Sequence, residues 1–312
     1  MSNGKIAFVF PGQGAQKIGM GKNLAETSAG AANLMKRADN ALGFSLSSLC
    51  YNGPEEELSK TEITQPALFT AGAMALEAFR EKCGIKPDFV AGHSLGEFSA
   101  IYAAGGYSFE DGLRIVRNRG LYMSDASGGV MAAVLGLDVD SIKTACASVA
   151  SGDEFIQPAN YNGEGQTVIA GTPSALEAVT PLLKEKGAKR IIPLKVSAAF
   201  HTPFMADAEK RLTSDLAGIT FHDLNSSLVN NVDAKIVSTA REARDGSGRQ
   251  VTGAVRWTEI MQVLINEGVK TVVEFGIGKT LVGMLKREDK SLVLCSVEDA
   301  ESLKETLEIL GR

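Results

Sequence analysis

One serine stands in a sequence context that can make it a nucleophile. Residues 92–96, Gly-His-Ser-Leu-Gly, match the G-x-S-x-G nucleophile elbow. The apolar residues 89–91 predict a short buried strand, and the Ala-rich segment from Leu95 predicts a helix. A serine on such a turn is held at the end of a sheet, beside the free N–H groups of a helix. A Gly-rich turn with a serine N-cap gives the same pattern, but the strand before it and the helix after it favour catalysis by Ser94.

A nucleophilic serine needs a base, and the sequence offers three histidines. His93 adjoins Ser94, and neighbouring side chains on a sharp turn diverge. His222 stands alone, as structural histidines usually do. His201 follows an apolar strand in a loop, which is where α/β folds place catalytic groups. We therefore predict His201 as the base. No acid is obvious as a third member, so a triad and a dyad steered by a backbone carbonyl both stay open.

Two Gly-rich loops partly match nucleotide-binding motifs. Residues 11–16, after the predicted strand 5–10, lack the third glycine of the dinucleotide fingerprint, because Lys17 stands there. An oxyanion loop and an ordinary strand-to-helix turn are the alternatives. Residues 276–280 resemble the tail of a phosphate-binding loop, but Val273 occupies the required first glycine position. Nucleotide binding is therefore not expected at either loop.

Arg119 shares a predicted helical face with Val116 and Met123, which indicates partial burial. A buried arginine must be paired. From the residues alone, a structural salt bridge is the usual reason for such an arginine.

Composition excludes several classes of protein. The 312 residues carry a net charge of −5, which gives no support for nucleic-acid binding. The four cysteines are scattered and indicate neither a metal site nor a disulfide framework. No signal-peptide pattern opens the sequence, and no apolar run approaches the ~18–20 residues of a membrane span. We expect a soluble cytoplasmic monomer with no membrane or nucleic-acid partner.

The predicted elements divide the chain into two domains. Residues 128–197 read as β-α-β-β-α-β, the ferredoxin-like arrangement. We expect this small domain to be inserted into a larger α/β-hydrolase-like domain with a mostly parallel sheet, formed by residues 1–127 and 198–312. The polar stretch 223–248 shows poor periodicity, with one short strand candidate at residues 235–238.

Several motifs together resemble the malonyl-CoA:acyl-carrier-protein transacylase family. Their order and spacing fit that family over essentially the whole chain. The motifs are Gly12-Gln-Gly-Ala-Gln16, Gly92-His-Ser-Leu-Gly-Glu97, Arg119 before Gly120, Ala159-Asn-Tyr-Asn162, Val196-Ser-Ala-Ala-Phe-His201 and Gln250 with Val255-Arg-Trp257.

The resemblance implies a role for each matching residue. Ser94 matches the nucleophile and His201 the base, while the main-chain carbonyl of Gln250 matches the group that orients the histidine. The backbone N–H groups of Gln13 and Leu95 match the oxyanion hole. Two further matches concern the substrate: Arg119 matches the guanidinium that holds the malonyl carboxylate, and Phe200 matches the form associated with unbranched malonyl units.

The implied reaction is ping-pong transfer of malonyl from malonyl-CoA to the acyl carrier protein, in support of fatty-acid synthesis. It needs no cofactor and no metal. A serine thioesterase or hydrolase of the α/β-hydrolase type and a non-catalytic carrier-binding module are the rival interpretations. The sequence departs from the family pattern in four places: Ala199 replaces a common proline, Ser124 stands where the family often has glutamine, and residues 163–165 and Ile277 lack prolines frequent in relatives. We expect those departures to affect loop rigidity and not the chemistry.

Overall fold

A computed structural model describes residues 4–196 and 198–312. Residues 1–3 and Ser197 lie outside the described part of the chain, and with them the start of the predicted large domain and the last residue of the predicted small domain. Along the chain the elements are β1 Lys5–Phe10, α1 Lys22–Thr27, α2 Ala29–Leu42, α3 Leu46–Asn52, α4 Glu55–Leu58, α5 Thr61–Lys82, β2 Phe89–Gly92, α6 Leu95–Ala103, α7 Phe109–Asp125, β3 Val130–Leu135, α8 Val139–Val149, β4 Ile156–Tyr161, β5 Gln166–Gly171, α9 Pro173–Glu185, β6 Arg190–Pro193, a 3-10 turn Pro203–Met205, α10 Ala206–Ala217, β7 Ser227–Val229, β8 Ile236–Val237, α11 Ala240–Arg249, α12 Trp257–Asn266, β9 Val269–Phe275, α13 Thr280–Glu288, β10 Val293–Val297 and α14 Ala300–Ile309.

The larger sheet has the strand order β10-β9-β1-β2-β7-β8 and is parallel except for the last pair. Its central strands are apolar on both faces because helices cover both sides. Phe8 and Phe275 pack edge to face on one side, with ring centroids 4.7 Å apart. Trp257 of α12 is fully buried in the cluster on the other side. The fold class predicted from the sequence is confirmed.

The strand order decides which loops meet. β1 and β2 are parallel neighbours, with Phe10 opposite Gly92, so the loop after β1 and the elbow after β2 leave the sheet side by side. β7 is the other neighbour of β2, with Leu228 opposite Val90. Residues following β7 are therefore brought beside the elbow on the side away from β1.

The smaller sheet has the antiparallel order β4-β5-β3-β6, and α8 and α9 cover one face. This is the strand order of a ferredoxin-like unit. β6 ends at Pro193, although the sequence predicted a strand as far as Val196. The boundaries 128–197 stay a prediction.

The polar stretch 223–248 is more regular than the sequence suggested. It contains β7 and α11 beside the predicted short strand, which is found at Ile236–Val237. β7 has three residues, too few to show periodicity. α11 is mostly polar and begins with a capping box, in which Thr239 and Glu242 satisfy each other's backbone N–H groups. Helix α11 is thus specified by its cap and not by an apolar stripe. Within residues 4–196 and 198–312, no helix is long and apolar enough to cross a membrane.

Candidate active site

The turn between β2 and α6 has the geometry of a strained elbow. Ser94 has φ 51° and ψ −108°, a conformation that non-glycine residues seldom adopt. A Cβ on Gly92 would lie 2.0 Å from the carbonyl carbon of Gly96, and one on Gly96 would lie 1.9 Å from the Phe10 oxygen. The two glycines of the motif are thus required by close backbone approach, as the sequence pattern implied.

His201 contacts Ser94 across 107 residues of sequence. Its Nε2 lies 2.7 Å from Ser94 Oγ, while its Nδ1 lies 2.9 Å from the Gln250 carbonyl oxygen and 3.1 Å from that of Gly253. A carbonyl oxygen can only accept a hydrogen bond, so Nδ1 carries the proton of the neutral ring. Nε2 is then free to accept the Ser94 hydroxyl proton. Of the two arrangements left open by the sequence, the structure forms the one with main-chain carbonyls.

The environment of His201 keeps the imidazole neutral. The residue is 3% exposed, and burial, followed by the nearby charge of Arg119, lowers its pKa to about 3. A neutral imidazole is the form that can accept a proton from a serine.

Arg119 is buried beside the same serine and is held by amides. Its Nη1 donates to Gln65 Oε1 over 2.8 Å and its Nη2 to Gln250 Oε1 over 2.9 Å. Nη2 also donates to Ser94 Oγ over 3.1 Å. Among the described residues Arg119 forms no salt bridge, which removes the structural ion pair as an explanation. Burial lowers the Arg119 pKa to about 10, so the guanidinium is still charged at neutral pH.

Three further residues named from the sequence line a cavity of about 100 Å³ beside Ser94. Gln13, Leu95 and Phe200 line it together with Ser94, His201 and Arg119. Leu95 is the first residue of α6, so its N–H has no partner within the helix. The side chain of Gln250 lies outside the lining and donates from Nε2 to the Ser94 carbonyl over 2.9 Å.

A larger cavity of about 300 Å³ adjoins the first and shares four of its lining residues: Gln13, His93, Asn160 and Leu194. Apolar side chains, among them Met123 and Met131, line the first cavity together with the guanidinium of Arg119. The pair of cavities is therefore suited to an elongated ligand whose short anionic end enters the inner one.

Three supporting residues had no role assigned from the sequence, although Asn162 belongs to one of the motifs quoted above. Gln65 accepts a hydrogen bond from Arg119. His93 Nε2 donates to Asn162 Oδ1 over 2.8 Å, which keeps the His93 ring away from Ser94. Asn231 contacts the backbone on both sides of His93. Only tertiary structure reveals Asn231, because it follows a three-residue strand in a stretch that looked irregular. Gln65 lies within α5 before Pro66, and no sequence motif marks it.

The departures from the family pattern fit local geometry. Gly163 and Gly165 have φ of 139° and 67°, values that proline cannot adopt. Ala199 is fully buried, and Ser124 Oγ donates to the Leu121 carbonyl of its own helix over 2.9 Å.

The chain is similar to known proteins over nearly its whole length. A family described as acyl transferase domain matches residues 7–305. The malonyl CoA-acyl carrier protein transacylase of Bacillus subtilis (strain 168) is 42% identical over 309 residues, covering 98% of this chain and 97% of the relative. The crystal structure of an acyl-carrier-protein S-malonyltransferase from Burkholderia pseudomallei 1710b has a TM-score of 0.94 at 42% identity, covering 97% of this chain and 99% of the other.

A third relative was solved with its partner. The match is to a chain in the structure of a type II PKS acyl-carrier protein in complex with its malonyl-transacylase. The TM-score is 0.94 at 41% identity, and the match covers 97% of this chain and 99% of the other.

Proposed function

This chain belongs to the acyl transferase family, and from that premise we propose that it transfers malonyl from malonyl-CoA to the pantetheine thiol of an acyl carrier protein. The transfer passes through a malonyl ester of Ser94. One observation carries the proposal: Ser94 Oγ lies 2.7 Å from a neutral imidazole and 3.1 Å from a buried guanidinium. A base and a carboxylate-binding group thus meet at one hydroxyl.

The first half-reaction acylates the enzyme. His201 Nε2 takes the Ser94 proton as Oγ attacks the thioester carbonyl. The N–H groups of Gln13 and Leu95 stabilise the oxyanion, and one such donor typically contributes ~3–4 kcal/mol to lowering the barrier. The carbon–sulfur bond then breaks, His201 gives its proton to the leaving sulfur, coenzyme A departs as the thiol and His201 is neutral again.

The second half-reaction runs the same steps in reverse with another thiol. His201 takes the proton of the carrier's pantetheine thiol, and the sulfur attacks the ester carbonyl of malonyl-Ser94. The bond from that carbon to Ser94 Oγ then breaks, and Oγ recovers its proton from His201. No metal or cofactor enters either step, since malonyl-CoA and coenzyme A act as substrate and product.

Arg119 and the cavity walls select the acyl group. A guanidinium presents a planar fork that binds a carboxylate at two points. Nη2 contacts Ser94 Oγ in the free enzyme, so a malonyl group on that oxygen has its carboxylate within reach of the same guanidinium. Phe200, at the wall, is proposed to favour an unbranched chain. We also propose that the protein is a cytoplasmic monomer and that its product supplies fatty-acid synthesis.

The deciding experiment is intact mass after brief incubation with malonyl-CoA, before and after addition of acyl carrier protein. We expect a malonyl adduct on the wild type that moves to the carrier, and none on Ser94→Ala. An adduct lost as free malonate before carrier is added would support a hydrolase. No adduct at all would support a carrier-binding module.

The base is tested in the same assay. His201→Ala should acylate roughly 10²–10⁴-fold more slowly, the usual contribution of a general base. The matched control is His222→Ala, because His222 is exposed. Wild-type acylation rates in both variants would contradict the assigned role of His201.

A further inference from the structure

Asn231 is fully buried two residues after β7. β7 runs parallel to β2 and pairs with it, so the chain beyond β7 passes the point where β2 turns into the elbow. Asn231 is separated from Ser94 by 137 residues and is brought to it only by this strand pairing.

The Asn231 side chain binds the elbow at two points. Its Oδ1 accepts from the Ser94 N–H over 2.8 Å, and its Nδ2 donates to the Gly92 carbonyl over 2.7 Å. These two groups flank His93, and together they span the tight part of the turn. A carboxamide offers one acceptor and one donor in fixed relation, so neither alanine nor aspartate can make both bonds.

Glu97 anchors Asn231 in turn. The Asn231 N–H donates to Glu97 Oε2 over 2.7 Å, and Glu97 lies in the first turn of α6. Glu97 is fully buried, and its Oε1 finds no hydrogen-bond partner among the described residues. A buried carboxylate with an unmatched oxygen is costly. Helix α6, which begins directly after Ser94, thus binds Asn231 through Glu97, and Asn231 in turn binds the Ser94 backbone.

We propose that Asn231 is a positioning residue, anchored by Glu97, that holds Ser94 in its strained conformation and so keeps Oγ aligned with His201. This inference rests on the proposed role of Ser94 as nucleophile. The positive φ of Ser94 is unfavourable for a non-glycine residue and persists only where surrounding contacts impose it. Asn231 supplies two of those contacts to the backbone itself.

The arrangement has a second consequence for the oxyanion hole. Because the Ser94 N–H is already bonded to Asn231 Oδ1, it is unavailable to an oxyanion. The next N–H, that of Leu95, has no partner within α6. Asn231 thus fixes which amide faces the substrate.

The experiment compares Asn231→Ala with Asn230→Ala in single-turnover malonylation followed by intact mass. Asn230 is a matched control because it is also buried, yet its side chain bonds Asp233 and the Lys235 N–H instead of the elbow. We expect Asn231→Ala to acylate on the order of 10–100-fold more slowly, the scale of a misplaced reacting group. Its half-saturating malonyl-CoA concentration should change less than about 3-fold, because Arg119 and the cavity walls remain. Asn230→Ala should lose thermal stability but not acylation rate.

Two results would overturn the proposal: wild-type acylation by Asn231→Ala, or an equal loss in Asn230→Ala. Wild-type protein that forms no adduct would remove the proposed function and this inference together, whereas a normal wild-type adduct with a normal Asn231→Ala rate removes the inference alone.

If Asn231→Ala fails to fold, two substitutions of Glu97 test the proposal instead. Glu97→Gln keeps an acceptor for the Asn231 N–H and should retain most of the rate. Glu97→Leu keeps the volume without the acceptor and should fall roughly 10-fold or more. Equal rates in these two variants would overturn the proposal.

Discussion

Arg119 donates from Nη2 to Ser94 Oγ over 3.1 Å, so the group proposed to bind the substrate carboxylate also contacts the proposed nucleophile. Its other partners are the neutral amide oxygens of Gln65 and Gln250. Neutral acceptors orient the guanidinium without neutralising it. The charge therefore remains available to an incoming carboxylate, and it also lowers the pKa of His201.

Arg119→Ala should separate acyl groups by charge. We expect malonyl transfer from malonyl-CoA to fall on the order of 10²–10³-fold, since one partner of a buried charge pair is lost. Acetyl transfer from acetyl-CoA should be kept or improved. The measurement is the rate of acylation by each thioester, followed by intact mass. Arg114→Ala is the control, because Arg114 lies on the same helix but is exposed. Equal losses for malonyl and acetyl would contradict the role of Arg119.

The acid side of the pH profile should be flat. Burial and the Arg119 charge lower the His201 pKa to about 3, so the imidazole stays neutral from pH 8 to pH 5. A histidine with the ordinary pKa of 6.5 would be about 97% protonated at pH 5 and would slow acylation about 30-fold. The check is the single-turnover malonylation rate between pH 5 and 8, with circular dichroism to verify folding. A decline centred near pH 6.5 would refute the effect of burial on His201.

Glu97 should make the stability of the protein depend on pH. Burial raises its pKa from 4.5 to about 7. Between these values the unfolded chain releases a proton that the folded protein keeps, so the free energy of unfolding falls as pH rises through this window. Glu97→Gln removes this group. Its unfolding free energy relative to wild type should rise by on the order of 3 kcal/mol from pH 4 to pH 8. Denaturant unfolding of both proteins at several pH values measures the difference, and a constant difference would contradict the prediction.

Gly92→Ala should be strongly destabilising. The added Cβ would lie 2.0 Å from the Gly96 carbonyl carbon, which is backbone and cannot rotate away. We expect a loss of about 3 kcal/mol or more, at the upper end for overpacked sites, together with loss of Ser94 acylation. Gly84→Ala is the control, because no described atom lies within 4 Å of the Cβ position there. Thermal unfolding of the two variants measures the contrast. Equal thermal unfolding midpoints for Gly92→Ala and Gly84→Ala would show that the elbow tolerates a side chain.

Local patterns in the sequence were enough to find the elbow and most of the elements around it. A tight strand-to-helix turn requires small residues at fixed spacing, so residues 92–96 reveal it without any partner. Apolar periodicity likewise identified β1 and β9 and the order of elements in the smaller sheet. It failed for β7 and α11, since a three-residue strand and a polar capped helix carry no apolar period.

By itself, the sequence determined the nucleophile turn, the loop histidine and the alternation of strands and helices, because each depends on neighbours within one or two turns of chain. Resemblance, not spacing, supplied the roles of Gln250 and Arg119. The tertiary structure alone decided which amides hold Arg119, which carbonyls hold His201 and which side chain holds Ser94. Those contacts join residues 49 to 137 positions apart. They follow from which strands lie next to each other in the sheet, and no local period or propensity encodes that order.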